Sequence, residues 1–322
     1  MEMLRTATAI AAAKLLGRKR PLNVSYFITN KCDLRCDYCN IPETRGHHEQ
    51  MTTDEIKAML DEFHSQGMVK FSCSGGEPLL RADLGEVLDH AKSLGAITSI
   101  TTNGRLVAKR ADTLGALHTM LISLDGGQDF QDTTKHNDVK TVINAISLMK
   151  RRHGTKVWLS TVLLNHSREQ MDFVIAVCRD LDVKVLLQPF HDILAVGKGF
   201  DRQLRDEPLK DIFRYALDKA PEVVANSPDY IDMIFNDGFL HPSFCLAGVR
   251  TCFINSNGNV FPCLPIMMED KPTLNGLKAG WREAFESMPT ASCATCRYPN
   301  QAELYFTFAM KQRTWRHLAR MV

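Results

Sequence analysis

The chain has 322 residues, of which 44% are hydrophobic and 24% charged, and its formal net charge is +2. This composition is typical of a globular protein with one large domain and a smaller one, and its charge balance gives no case for nucleic acid as a partner. No apolar run reaches the length of a membrane span. Ten cysteines in a chain of this length do not indicate a small disulfide scaffold.

Both ends of the chain are basic. Residues 1–20 contain five basic residues and one acidic residue, and residues 302–322 contain four basic residues and one acidic residue. Apolar residues recur at helical spacing in both segments, at Leu4, Ala7, Ala11 and Leu15 and at Leu304, Phe308, Trp315 and Leu318. We therefore predict a basic amphipathic helix over residues 1–21 and a C-terminal helix over 301–322. Such helices either pack on the body of the protein or bind an anionic membrane surface.

Between these ends, apolar runs alternate with amphipathic helical patterns from about residue 22 to 220. The predicted strands are Val24–Thr29, Met68–Cys73, Ile97–Thr101, Thr119–Leu124, Lys156–Leu163 and Val183–Gln188. The predicted helices are Thr53–Gln66, Asp83–Leu94, Arg105–Leu114, Val139–Arg152 and Arg168–Asp180. Six strands that alternate with helices predict an α/β fold with a parallel sheet, because each helix serves as a crossover connection.

Three cysteines with the spacing Cys32-x3-Cys36-x2-Cys39 follow the first predicted strand. Three thiolates can hold a [4Fe–4S] cluster and leave one iron without a protein ligand. The alternative is a zinc site with a fourth ligand elsewhere. A second motif, Gly75-Gly76-Glu77-Pro78, follows the second predicted strand, where glycines allow a close approach of backbone to a ligand and a carboxylate suits an ammonium group.

In this order, the two motifs resemble the signature of the radical S-adenosylmethionine (SAM) superfamily. The resemblance implies a partial (β/α)6 TIM-like barrel over residues 22–220, with its catalytic elements at the C-terminal ends of the strands. It also implies a [4Fe–4S] cluster whose open iron chelates SAM, and an electron donor such as flavodoxin or ferredoxin. The reduced cluster would cleave SAM to methionine and a 5′-deoxyadenosyl radical.

The same resemblance suggests further contacts with SAM. The candidates are the four residues of the glycine motif, Gly75, Gly76, Glu77 and Pro78, together with Tyr38, Asn103, Ser123, Asp125 and Gln188. Short polar side chains at strand ends can bond ribose hydroxyls or the methionine carboxylate. Ordinary turn chemistry at strand ends is the alternative.

A second set of cysteines lies in residues 221–300. Its spacing is Cys245-x12-Gly258-x4-Cys263, followed by Cys293-x2-Cys296, and Asn257-Gly258 predicts a hairpin turn. This set resembles the twitch or SPASM-type extension of the superfamily and implies one auxiliary [4Fe–4S] cluster held by Cys245, Cys263, Cys293 and Cys296. A zinc ribbon, or Cys252 as ligand in place of Cys245, stays open.

The predicted function is hydrogen-atom abstraction from a small-molecule or lipid-like substrate, leading to dehydrogenation, bond formation or epimerisation. Cys252 and His191 are candidate catalytic residues, the first as a hydrogen-atom donor and the second as an acid or base. The alternatives are modification of a ribosomally made peptide and a non-catalytic Fe–S or zinc scaffold. The expected location is the cytoplasm, including its membrane surface.

Overall fold

The structure is a computed structural model that describes residues 2–17, 19–41, 50–164, 166–190, 206–236, 244–269, 272–289 and 298–321. Within these residues one sheet of nine strands organises the chain, in the order β6-β5-β4-β3-β2-β1-β7-β8-β9. The strands are β1 Asn23–Thr29, β2 Lys70–Gly75, β3 Ile97–Thr102, β4 Thr119–Ser123, β5 Lys156–Leu163, β6 Lys184–Pro189, β7 Thr251–Ile254, β8 Asn259–Phe261 and β9 Leu274–Asn275.

Strands β1 to β6 pair in chain order and all pairs are parallel. This arrangement confirms the predicted α/β class and the six-stranded partial barrel, and each predicted strand overlaps an observed one. Alternate residues point to opposite faces of the sheet. The outer face, with Tyr26, Phe71, Ile100 and Met120, is buried in the main hydrophobic core beneath the helices.

The helices of the barrel follow the strands as crossovers. The helices described are α1 Glu2–Leu16, α2 Thr53–Ser65, α3 Leu84–Ser93, α4 Val107–Arg110, α5 Gln128–Asp132, α6 Val139–His153, α7 Arg168–Asp180, α8 Asp206–Lys219, α9 Pro228–Phe235, α10 Leu264–Met268, α11 Gly276–Ala279, α12 Trp281–Glu286, α13 Pro299–Phe308 and α14 Gln312–Met321. Thr52 begins α2 with a capping box that includes Glu55, and Asp138 and Ser167 cap α6 and α7.

One predicted helix is shorter than expected. The segment Arg105–Leu114 forms α4 and then a 3₁₀ turn over Ala111–Thr113. The apolar residues Val107, Ala111 and Leu114 are all buried, so the helical spacing is kept through a tighter local geometry.

The C-terminal extension continues the barrel sheet. Strand β7 runs parallel to β1, with Val24 paired to Cys252, and β8 returns antiparallel to β7. The predicted hairpin is confirmed: Gly258, at its turn, has φ of +85°, a conformation that glycine adopts without a steric cost. The extension is thereby connected to the same strand that leads into the first cysteine motif.

The two ends of the chain pack together. Ile10 and Ala13 of α1 are buried and share an apolar cluster with Phe308 and Trp315. Leu4 and Leu15, on the predicted apolar face of α1, are 69% and 88% exposed. The C-terminal segment forms two helices, α13 and α14, since the chain turns at Met310, where φ is +56°. In the described part of the chain, no helix is long and apolar enough to cross a membrane.

Candidate functional site

The first cysteine motif forms the loop that leaves the C-terminal end of β1. Cys32, Cys36 and Cys39 are half-buried in this loop. Cys36 and Cys39 pack against an apolar group built on Tyr38 and Phe190. The rings of these two aromatic residues meet edge to face, with centroids 6.0 Å apart. The motif therefore lies at the C-terminal ends of the strands, as the family resemblance implies, and it is partly shielded from solvent.

Burial sets the state of the thiols in the absence of metal. It raises the pKa of Cys32 to about 11 and the pKa of Cys36 to about 12, and the ammonium of Lys135 partly offsets the second shift. Iron binds the thiolate form. A cluster bound by these cysteines would therefore require the release of their protons.

The glycine motif is braced against the cysteine loop. The amide of Gly76 donates to the carbonyl of Thr29, and the amide of Glu77 donates to the carbonyl of Lys31, both at 2.8 Å. A Cβ atom at Gly75 would lie 2.3 Å from the Thr29 carbonyl oxygen, and one at Gly76 would lie 2.2 Å from that of Lys31. Both glycines are thus required by a close approach of two backbone segments.

The Glu77 side chain joins the ends of β2 and β3. Its Oε1 accepts from the amide of Leu79 at 3.0 Å and from Thr102 Oγ1 at 2.8 Å, and its Oε2 accepts from the amide of Asn103 at 2.8 Å. The side chain is fully buried, and burial raises the pKa of Glu77 to about 7. Pro78 begins the 3₁₀ turn that Glu77 caps. The carboxylate therefore fixes the loops after β2 and β3 relative to each other.

Asn103 links the third strand to the cysteine motif. Its Nδ2 donates to Asp33 Oδ1 at 2.8 Å, and its Oδ1 accepts from the amide of Arg105 at 2.9 Å. Arg105 in turn donates to the carbonyl of Asp33 at 2.9 Å. Asp33 lies inside the CxxxCxxC motif, so this set of bonds positions the loop from the side of β3.

Asp125 is bonded from several sides. Its Oδ2 accepts from Tyr38 Oη at 2.9 Å and lies 3.0 Å from Lys135 Nζ, and its Oδ1 accepts from the amide of Val162 at 2.9 Å. His166 Nε2 bonds its carbonyl oxygen at 2.5 Å. Both carboxylate oxygens are thus engaged within the protein, and Asp125 connects the cysteine loop to β5.

Ser123 and Gln188 lie on the inner face of the barrel. Ser123 pairs in register with Ser160, and Gln188 Nε2 donates to Ser160 Oγ at 2.6 Å. Further polar residues line the same face at Ser25, Ser72, Ser74, Ser99 and Thr101. Hydroxyl and amide groups therefore point into the barrel below the cysteine loop, where a polar ligand can be bound.

In the second cysteine set, Cys245 is half-buried, and Cys263, two residues after the end of β8, is buried. Leu264, the residue after Cys263, belongs to an apolar cluster against which Cys39 also packs. Cys252 instead lies in the main core behind β7, and the structure does not bring it to the inner face. Cys293, Cys296 and His191 lie outside the described residues.

The donor set fits an Fe–S cluster. Thiolates hold such clusters, with each cysteine bound to a different iron, and the three cysteines lie in one short loop of partial burial. In the described ranges no three His, Cys, Asp or Glu side chains form a group that could hold a metal ion. A cubic cluster spreads its thiolates farther apart than a single ion does, so this finding is compatible with the assignment.

Sequence reasoning missed the residues that contact the cysteine loop from the segment after β4. Lys135 pairs with Asp125, and the amide of Asp37 donates to the carbonyl of Thr134 at 2.9 Å. These partners lie about a hundred positions from the cysteines, and they belong to no motif. The one available indication was that the segment follows the strand end that carries Asp125.

The comparisons with known proteins agree with this geometry. The family model "Radical SAM superfamily" matches residues 26–176. A GTP 3′,8-cyclase from Limosilactobacillus fermentum is 26% identical over 91% of this chain and 94% of its own length. A GTP 3′,8-cyclase from Lactiplantibacillus plantarum is 32% identical over 58% of each chain.

Solved structures show the same fold. SuiB from Streptococcus suis, bound to its precursor peptide SuiA, superposes with a TM-score of 0.72 at 18% identity, covering 87% of this chain and 68% of SuiB. The structure of anSMEcpe with bound AdoMet gives a TM-score of 0.63 at 14% identity, covering 92% of this chain and 99% of that chain. The matched segment begins in β1 and includes the cysteine loop, the glycine motif and Asp125, so the family model covers the candidate site described above. Residues 26–176 are thus a radical SAM domain, and members of the radical SAM superfamily use a [4Fe–4S] cluster and SAM.

Proposed function

We propose that the chain reductively cleaves SAM and abstracts a hydrogen atom from a small molecule held in the polar interior of the barrel. One observation carries the proposal: the glycine motif is bonded to the backbone that leads into the three cysteines, at the C-terminal edge of the strands. Cys32, Cys36 and Cys39 would hold the cluster, and when bound it and SAM supply a 5′-deoxyadenosyl radical.

The residues of the chain then have separate tasks. The backbone around Gly75 and Gly76 keeps the cysteine loop and the strand ends at a fixed separation. Ser123 offers a hydroxyl group on the inner face to a polar part of SAM or substrate. The apolar packing around Tyr38 and Phe190 shields Cys36 and Cys39 in part from water, and exclusion of water protects a radical from unwanted reactions.

Anaerobic cleavage of SAM tests the proposal. Protein reconstituted with iron and sulfide and reduced by dithionite is expected to produce 5′-deoxyadenosine, and C36A is expected to produce none. The matched control is C178A, because Cys178 is buried in α7 and has no part in the motif. Wild-type protein that is loaded with iron but forms no 5′-deoxyadenosine would favour the scaffold alternative.

We also propose one auxiliary [4Fe–4S] cluster with Cys245, Cys263, Cys293 and Cys296 as ligands. Support comes from the spacing and from the hairpin, since Cys263 follows two residues after β8, the strand that returns from β7. The burial of Cys252 in the main core supports Cys245 as the first ligand instead. Elemental analysis separates this proposal from a zinc ribbon, since a zinc-filled site would show zinc and leave about four irons per chain.

The relatives supply a specific second candidate, GTP cyclisation, because a GTP 3′,8-cyclase matches nearly the whole chain. The inner face of the barrel favours a substrate that carries less negative charge than GTP. Among its described residues from mid-strand to the C-terminal ends, it carries hydroxyl, amide and apolar groups without lysine or arginine. A triphosphate binds best to such cations. Incubation with GTP and with guanosine, followed by mass spectrometry, distinguishes the two candidate functions. A cyclised product from GTP would establish GTP cyclisation.

A peripheral membrane location, and with it a lipid-like substrate, is a further proposal. It is supported by the exposure of Leu4 and Leu15 beside the exposed Lys14 on α1, and by the packing of α1 against the basic C-terminal segment. Cosedimentation with vesicles containing anionic lipid, compared at low and high salt, tests it. Binding that is the same for the full chain and for a variant with Leu4 and Leu15 changed to serine would exclude α1 as the contact.

A further inference from the structure

The segment after β4 lies against the cysteine loop, and we call residues 134–136 the clasp. The clasp carbonyls accept from the loop: Thr134 from the amide of Asp37 at 2.9 Å, and Lys135 from Cys36 Sγ at 3.9 Å. His136 Nε2 lies 2.9 Å from Asp37 Oδ1. Three consecutive residues therefore contact the Cys36–Asp37 step of the motif.

Lys135 adds a buried charge to these contacts. Its side chain is 4% exposed, and its Nζ lies 3.0 Å from Asp125 Oδ2, which also accepts from Tyr38 Oη at 2.9 Å. Tyr38 precedes Cys39 directly. The ammonium is thus connected through one carboxylate to Tyr38, one of the two residues between the second and third cysteines. A buried ion pair is weak evidence for stability, because its desolvation cost offsets the attraction, so a role beyond stability is worth testing.

We propose that Lys135 is a positioning residue for the cluster: through Asp125 and Tyr38 it holds the Cys36–Cys39 segment, and its charge favours the reduced cluster. The inference rests on the proposed ligation of the cluster by Cys32, Cys36 and Cys39. Reduction adds negative charge, and a nearby buried cation stabilises the more negative state. The net charge around an Fe–S cluster is one of the factors that set its reduction potential.

The positioning part is tested on the protein without metal. Hydrogen exchange of the Asp37 amide, which donates to Thr134, is expected to accelerate at least tenfold in K135M. The control is K150M, because Lys150 also pairs with a carboxylate, that of Asp182 at 3.3 Å, and bonds the carbonyls of Leu181 and Asp182, but on α6 and away from the loop. Exchange in K135M that equals exchange in K150M would overturn the positioning role.

The electrostatic part is tested by the midpoint potential of the cluster, followed by EPR. K135M is expected to lower the reduction equilibrium constant about tenfold, equivalent to about 59 mV for one electron, and D125N is expected to raise it. A purely structural role would move both variants in the same direction or neither, and either result would overturn the proposal. If K135M does not retain a cluster, the midpoint potential of D125N is the remaining test. A potential that does not rise in D125N would then overturn the electrostatic part of the proposal. Wild-type protein that binds no cluster would refute the proposed function instead, while hydrogen exchange would still test the clasp.

Discussion

Replacement of Gly76 by alanine tests the close approach of the two loops. The added Cβ would lie 2.2 Å from the carbonyl oxygen of Lys31 and 2.9 Å from that of Asn30, so the backbone must move. Such overpacking costs about 1–3 kcal/mol. The movement also weakens the amide bonds of Gly76 and Glu77 to the cysteine loop, each with a net value of about 1 kcal/mol. With both bonds lost, we expect G76A to lower the free energy of unfolding by about 3–5 kcal/mol.

Urea denaturation followed by circular dichroism measures this loss. The control is G154A: Gly154 has a positive φ of +59°, which Gly76 does not have, but a Cβ there has nothing within 4 Å. Only the backbone strain remains at that position, about 1 kcal/mol. Retention of iron after reconstitution should decrease in G76A and stay unchanged in G154A. A G76A protein that is no less stable than G154A would refute the view that the glycine motif serves loop-to-loop contact.

Three further predictions concern titration, metal content and the carboxylate of the glycine motif. Burial raises the pKa of Glu303 from 4.5 to about 7, so the folded state binds this proton more tightly than the unfolded state does. The stability that the protonated carboxyl contributes is therefore lost as the pH rises from 4.5 to 7. E303Q should remove about 3 kcal/mol of this pH dependence of the free energy of unfolding, measured by thermal or urea unfolding. C263A should reduce the iron content from about eight to about four per chain by elemental analysis, and an unchanged content would exclude Cys263 as a ligand. T102V, which removes a donor to the buried Glu77, should cost about 1–3 kcal/mol in urea unfolding, and an unaltered midpoint would show that this bond is dispensable.

The barrel could be predicted from the sequence because apolar residues repeat every two positions in its strands and about every 3.6 positions in its helices. Lys156–Leu163 and Arg168–Asp180 have the predicted bounds, and the other barrel segments differ by a few residues at their ends. The parallel pairing of β7 with β1 was not predicted. A strand of four residues has no distinctive pattern, and its partner lies more than two hundred positions away, so its pairing depends on tertiary packing.

The site was predictable only where its residues are close in sequence. The cysteine and glycine motifs are short, and each carries its chemistry in its own spacing. Glu77 and Asp125 were predicted as contacts with SAM. In the structure their carboxylate oxygens instead accept hydrogen bonds from protein donors on neighbouring strand ends. Lys135 could not be identified in advance, since a lone lysine in a loop is ordinarily exposed. Long-range contacts of this type become visible only when the strand ends are assembled.

The EPR spectrum of the reduced C263A variant, recorded with and without SAM, tests most directly whether SAM binds an open iron of the cluster, because C263A removes the auxiliary site. We expect a [4Fe–4S] signal that changes when SAM is added, because SAM would bind the iron that Cys32, Cys36 and Cys39 leave open. A spectrum that is identical with and without SAM, in protein that retains about four irons per chain, would contradict it.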